Sequence, residues 1–442
     1  MTERSVVIVG AGPSGCATAL ALAAQGIPST MLDRAAFPRD KPCAEYLSPE
    51  ASRVLHSLGV LEDVESASPA HLAGMTVRAP RGATLVGSFA GCAESFHPFR
   101  ARGLALQRRI LDAILVERAR RAGVMVRERT HVTDLLRDAH GAVCGVRVRE
   151  PDGSVREQRS WLVVGADGLR SVVARRARLA RRGRWPRRVA MVAHFRGVRE
   201  MGDYGEMHVE RDGYAGLARV SGADDLVNVS VVVPARRLRH ARAAGAGGLD
   251  AVMRAWLSAH PQLAPRFAHA ERVSPVLATG PFASQARRAW APGVALVGDA
   301  ADFFDPFTGE GIYTALRGGE LLAQAVVAMA RARDTRGEHA ALRAYDAERR
   351  RVFGGKWSVE RLVGLAVGWP LLMNRVARTL EQYHAMADLF VGVAGDFVPA
   401  RVVLNPAFLG ALLIPALARR YEPPMRAAGT SAPGESVVPH RP

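Results

Sequence analysis

Residues 6–33 read VVIVGAGPSGCATALALAAQGIPSTMLD. A short β-branched run is followed by glycines at 10, 12 and 15, a small-residue helical stretch ending near Gly26, and a second strand closing on Asp33. Each part predicts one βαβ unit, and the glycine spacing in that context is a dinucleotide-binding fingerprint. Gly10 permits the tight turn, Gly12 lets backbone approach a pyrophosphate, and Gly15 lets helix and strand pack closely. Pro13 and Ser14 open the helix, whose N-terminus offers about half a positive charge and free N–H groups to phosphates. Asp33, 23 residues beyond Gly10, stands where an acidic side chain accepts hydrogen bonds from a ribose, with Arg34 beside it.

The rest of the chain reads as elements arranged around this unit. Residues 104–122 carry apolar positions at helical spacing, a strand-like meander runs to Glu150, and WLVVGADGLRS (161–171) is a strand ending in a glycine-rich turn. Strand-like alternation dominates residues 188–234 and joins with 71–100 as an inserted, sheet-rich second domain. GVALVG (293–298) returns to a buried parallel strand, and GDAADFFDPFTGEGI (298–312) leads into a long helix. The expected class is α/β: a Rossmann-like cofactor-binding domain from 1–70, 101–175 and 285–350, a substrate domain from 71–100 and 176–284, and a helical region over 351–424. The Ser/Pro/Gly-rich residues 425–442 are expected to be disordered.

The three glycine-acid motifs, in this order, resemble the glutathione-reductase-type flavoproteins, and more closely the p-hydroxybenzoate hydroxylase and geranylgeranyl reductase group. The resemblance covers about residues 1–350. It implies FAD as cofactor and NADPH or NADH as reductant. By the same resemblance, Asp299 bonds the ribityl chain, and Asp167 with Gly168 contributes to FAD and NAD(P)H binding. Arg108 contacts the flavin unless the adjacent Arg109 does. The segment Pro306, Gly309, Glu310, Gly311 and Ile312 passes beside the isoalloxazine ring. There a helix N-terminus would favour the negative charge of reduced flavin. The stretch PRDKPCAE (38–45) resembles the flavin-covering loop with its Lys/Arg-x-Cys-Gly-Glu pattern, here with Ala44 for glycine. Lys41 in that loop is one of only two lysines, against 58 arginines. Cys43 there is either redox-active or a small packing group.

Within the group, the halogenase W-x-W-x-I-P segment is absent. Leu217–Val220 also stand where polyprenyl reductases carry Trp-x-Phe-Pro. The expected function is an NAD(P)H-consuming monooxygenase that hydroxylates a lipophilic aromatic or polyketide-type substrate through a flavin hydroperoxide. Reduction of carbon–carbon double bonds in a polyprenyl-type substrate is the alternative, and halogenation ranks below both. His194, His208, Tyr204 and Tyr214 could orient or deprotonate a phenol, but none is assigned as catalytic.

Charge and cysteine usage set the remaining bounds. The net charge of +18 comes from scattered arginines, with one dense run of eight in residues 175–188. Such a run could meet an acidic carrier protein, the phosphate of NADPH or an anionic membrane surface, and otherwise is a solvated linker. A basic nucleic-acid-binding protein is the non-enzyme alternative, but no basic face interleaved with aromatics points to nucleic acid. Cys16, Cys43, Cys92 and Cys144 form no CxxC pair and no metal spacing. The N-terminus enters a strand without a signal-peptide pattern, and no apolar stretch reaches the ~20 residues of a spanning helix. The expected location is cytoplasmic; the apolar, arginine-flanked C-terminal stretches either cap the core as ordinary helices or lie peripherally at a membrane surface.

Overall fold

A computed structural model describes residues 4–183, 187–243 and 247–422; the tail 425–442 lies outside them. The glycine fingerprint begins at the middle of a six-stranded sheet. Its strand order is Trp290–Ala291, Val294–Leu296, Leu162–Gly165, Val6–Val9, Ser29–Leu32 and Met125–Arg127. All neighbours are parallel except the Trp290–Ala291 edge pair. Val6–Val9 and Leu162–Gly165 are buried throughout, as their unbroken apolar runs require of strands covered on both faces. Parallel strands share a carboxyl edge. The turns after Val9, Leu32, Gly165 and Leu296 therefore converge, bringing Gly10, Asp33, Asp167 and Asp299 to one rim.

A second sheet draws on two distant parts of the chain. Strands Gly74–Arg78 and Thr84–Ser88 join Arg188–Arg196, Tyr204–Glu210, Gly213–Arg219 and Val227–Pro234. The two segments meet where Tyr204–Glu210 pairs parallel with Gly74–Arg78. The period of two sorts the side chains. Ala190, Val192, Met207, Tyr214 and Val232 face one core, while Val189, Met191, Ala193, Val229 and Val231 face another with Met253 and Trp256.

Two features depart from the reading of the sequence. The region read as sheet-rich also holds helices Ala235–Ala243, Gly248–Ala259 and Ala264–Phe267. Gly248–Ala259 buries Val252, Met253, Trp256 and Leu257 against the back of the sheet. At the other end, one 34-residue helix, Thr335–Gly368, runs through residue 350 without a break. The helices that follow it close the outer strand of the second sheet. Asn374 accepts a bond from the Arg81 N–H (2.7 Å), Glu381 from Thr84 (2.9 Å) and Asp388 from Ser88 (2.7 Å). The edge that would otherwise present free N–H groups is thus covered.

Candidate functional site

The glycine loop sits as its spacing requires. Gly10 has φ +103°, and a Cβ there would stand 2.5 Å from the Ala166 carbonyl oxygen. Beyond Gly12 the nearest groups are the guanidinium ends of Arg39 and Arg108, 3.6 and 3.9 Å from where a Cβ would lie. The Asp33 carboxylate accepts the N–H of Ala11 (2.9 Å) and of Ala35 (2.8 Å), which ties the glycine loop to the end of the second strand. Each oxygen keeps a lone pair for another donor. Arg34 lines the same cavity.

Arg108 and Arg109 part ways at the start of helix Arg108–Arg121. Arg109 is exposed, whereas Arg108 is buried. Arg108 forms a two-pronged pair with Asp112 at 2.9 Å and 2.9 Å. Burial works against its charge, and the Asp112 carboxylate more than offsets this, raising its pKa. Arg39 also reaches Asp112, at 3.2 Å. Two guanidinium groups thus stand in front of a helix N-terminus, an arrangement that attracts phosphate.

Lys41 answers for its rarity by position. Its Nζ lies 3.6 Å from the Cβ position of Gly168 (φ +77°). Burial, then the charge of Arg108, lowers its pKa, while Asp299 opposes the shift. Burial in turn raises the pKa of Asp299. Asp167 accepts the Val172 N–H at 2.6 Å through Oδ2, but its buried Oδ1 has no partner. An orphaned carboxylate oxygen in such a place fits a ligand hydroxyl donor. The N–H groups of Gly311, Ile312 and Tyr313 open helix Gly311–Arg331 and have no helical acceptor, and a Cβ at Gly311 would meet nothing within 4 Å. The residues present thus suit FAD, with basic groups at one end and free backbone donors at the other.

Residues that the sequence reading passed over hold the covering loop down. Glu45 is buried at φ +62°. Its carboxylate accepts the Arg108 N–H (2.8 Å) and the Asn228 amide (2.9 Å), and meets His194 Nε2 at 2.7 Å. Asn228 also donates to the Cys43 carbonyl at 2.9 Å. Through these bonds the loop 38–45 is fastened to the floor sheet, with the Cys43 thiol lining the cavity. Cys43 is a free thiol, and its sulfur accepts the Glu45 N–H at 3.3 Å. Ala44 lines the cavity beside it.

A second network anchors the Pro306 turn. Arg188 bonds Asp305 at 2.9 Å, and the Tyr214 hydroxyl donates to the same carboxylate at 2.5 Å. Arg188 ends the arginine run read from sequence as a linker or docking segment, yet it is buried. Glu310 is buried with no hydrogen-bond partner and faces Lys356 at 3.9 Å; Lys356 also pairs with Asp396. Both lysines of the chain therefore stand at this site or behind it. Lys356 could have been singled out by that rarity alone.

The cavity these groups enclose measures about 380 Å³. Its floor is Ala190, Val192, Met207, Gly216, Ser230 and Val232, mostly small and aliphatic, with Phe282, Phe303 and Phe353 around it and Thr279 and Glu360 also lining it. Of the four phenol-orienting candidates, Tyr214 is spent on Asp305. His194 is spent on Glu45, and His208 pairs with Glu206 (2.8 Å) among the residues alternating with Met207. Tyr204 does not line the cavity.

Residues 3–355 match the family model described as "FAD binding domain". Digeranylgeranylglycerophospholipid reductase 1 of Methanopyrus kandleri is 30% identical over 332 residues, 74% of this chain and 80% of that protein. The 2,4-dichlorophenol 6-monooxygenase of Delftia acidovorans is 29% identical over 194 residues, 41% of this chain and 32% of that protein. A flavoprotein/dehydrogenase of Cytophaga hutchinsonii shares the fold at TM-score 0.79 and 20% identity, with 94% of this chain and 98% of that one covered. The chain belongs to the FAD-binding-domain family and is an FAD-dependent oxidoreductase.

Proposed function

We propose that the chain uses NAD(P)H to hydrogenate a carbon–carbon double bond in an elongated, lipophilic substrate of polyprenyl type. The observation that carries this reading is the aliphatic stretch of the cavity floor formed by Ala190, Val192, Met207, Gly216 and Val232, in which the one hydroxyl, that of Ser230, is bonded to Asn228 at 3.3 Å. The relatedness to a reductase over 74% of the chain supports it. In this reading Gly10, Gly12, Pro13, Ser14, Gly15 and Asp33, with Arg34, hold the adenosine and pyrophosphate end of FAD, and Lys41 and Arg108 stand between that end and the ring. Asp167, Gly168, Asp299 and the turn Pro306–Ile312 hold the ribityl and ring end. When bound, FAD supplies a hydride taken from NAD(P)H. The Cys43 thiol is placed to give the proton that completes addition across the double bond, and the resulting thiolate is reprotonated from water. The aliphatic floor excludes water and orients the chain of the substrate.

Hydroxylation of a lipophilic aromatic compound is the second reading. It is favoured by Leu217–Val220, which place no aromatic residue where polyprenyl reductases carry one. A single experiment separates the two. FAD-loaded protein and NAD(P)H are incubated with polyprenyl compounds and lipophilic phenols under isotopically heavy oxygen, and product masses are read. A gain of two hydrogens, undiminished without oxygen and slowed at least tenfold by Cys43→Ala, is expected. A gain of one heavy oxygen atom would replace this reading with the second.

A further inference from the structure

We propose that the C-terminal helices form a docking face for an anionic phospholipid bilayer. Seven of the twelve strongly exposed large apolar side chains among the described residues fall between 362 and 417. Leu362, Leu365 and Trp369 recur at helical spacing at the end of Thr335–Gly368, and Trp369 is 61% exposed. Leu371, 59% exposed, opens the next helix two residues on. One turn later Arg375 donates to the Leu413 carbonyl at 3.0 Å. This contact brings Leu413, Ile414 and Leu417, each close to half exposed, beside the first group. Leu371 and the 413–417 turn are thus neighbours, and the Leu362–Trp369 turn leads directly into that helix, so exposed apolar side chains concentrate in this region rather than standing singly.

Charge names the occupant. Between residues 361 and 422 there are six arginines and four acids. Asp396 is turned inward to Lys356 and half-buried Asp388 accepts the Ser88 N–H, while Glu381, which accepts the Thr84 N–H, and Glu422 are exposed. Arg378, Arg419 and Arg420 are exposed around the apolar side chains. An apolar face rimmed by arginine suits the boundary between acidic headgroups and acyl chains. No helix among the described residues is long and apolar enough to cross a membrane, so the face would lie on the surface.

The face also adjoins the cavity. Trp357 and Glu360 line the cavity from the same helix, and Leu362 and Leu365 follow within roughly 8 Å along its axis. The Arg361 guanidinium sits 4.8 Å from the ring of Phe304, another lining residue. Docking would bring the cavity beside the lipid. Delivery of substrate from that lipid rests on the function proposed above, whereas docking itself does not.

The test is sedimentation of the FAD-loaded full chain with phosphatidylcholine vesicles, with and without 30% phosphatidylglycerol. The native chain is expected to pellet with the anionic vesicles and to be released by salt. The triple variant Leu365→Glu, Leu371→Glu, Ile414→Glu is expected to lose at least tenfold in binding with its flavin spectrum unchanged. A milder triple Leu→Ser and Ile→Ser set serves if the first fails to retain flavin. Equal sedimentation of native and variant chains, or none by either, would overturn the proposal. So would binding that depends only on residues 423–442, or a native dimer that the variant splits while vesicles have no effect. Because no turnover is read, failure of the proposed reaction leaves this result standing.

Discussion

Two residues single themselves out by scarcity: Lys41 lines the cavity, and Lys356 stands behind it against Glu310. In a chain that otherwise uses arginine, Lys41 places a compact charge between Arg108, Asp299 and the left-handed Gly168. A guanidinium fork is broader and cannot shed its proton, whereas a buried ammonium can. Lys41→Met should weaken FAD binding by roughly 10- to 100-fold, the span of a hydrogen bond to a charged group. Lys41→Arg should recover only part of it. Flavin fluorescence titration checks both, and an unchanged dissociation constant would remove Lys41 from the site. Lys356 is buried, and burial, opposed by Glu310, lowers its pKa. Glu310 is pushed the other way, its pKa raised by burial against the charge of Lys356. Burial thus pushes both toward their neutral forms, and the charge of each opposes that push, at the turn that opens helix Gly311–Arg331.

At the scale of elements, the outer strand Thr84–Ser88 depends on a helix that lies 300 residues away in the chain. Helix His384–Ala394 approaches so closely that a Cβ on Gly87 would stand 2.5 Å from Val391 Cγ2 and 2.7 Å from the Ala387 carbonyl oxygen. The strand's N–H groups meet Glu381 and Asp388 only at that distance. Gly87→Val should therefore cost about 1–3 kcal/mol, as overpacking does, and loosen the cover of the strand. Urea unfolding followed by far-ultraviolet circular dichroism would measure it. A variant as stable as the native chain would mean that the helix can move away without penalty.

For the whole molecule, the decisive links are the few polar contacts that join the cofactor sheet to the floor sheet. Arg188 and Tyr214 on the floor grip Asp305 in the turn that precedes the flavin-facing helix. Burial and the Asp305 charge raise the Tyr214 pKa well above its ordinary value, so it remains a hydrogen-bond donor. Glu45 makes the corresponding tie from the covering loop to Asn228 and His194. Arg188→Met leaves the Asp305 charge buried without its cation. It should destabilise the fold by about 3–5 kcal/mol and reduce the flavin retained through gel filtration. Retention and unfolding midpoint both unchanged would show that the two sheets are held by apolar packing alone.

Much of the cofactor rim was legible because its reasons are local. A β-branched run, three glycines and an acid at fixed spacing can be read without knowing what lies elsewhere in the chain, and the parallel order of three such motifs makes them converge. The inserted sheet was legible in its alternation; the helix Gly248–Ala259 behind it went unread although Val252, Met253, Trp256 and Leu257 recur at helical spacing. The roles of Glu45, Asn228, Asp305 and Arg188 could not be read at all. Their partners lie 63, 149, 183 and 117 residues away, and nothing in a local window distinguishes an arginine in a solvated run from one aimed into the core. By itself, then, the sequence determined the cofactor class and the sheet that carries it, since those follow from short-range backbone chemistry. Only the tertiary structure decided that the cavity floor is mostly aliphatic and that Arg375 brings the Leu413 turn beside Leu371, because both depend on which distant surfaces come to lie side by side.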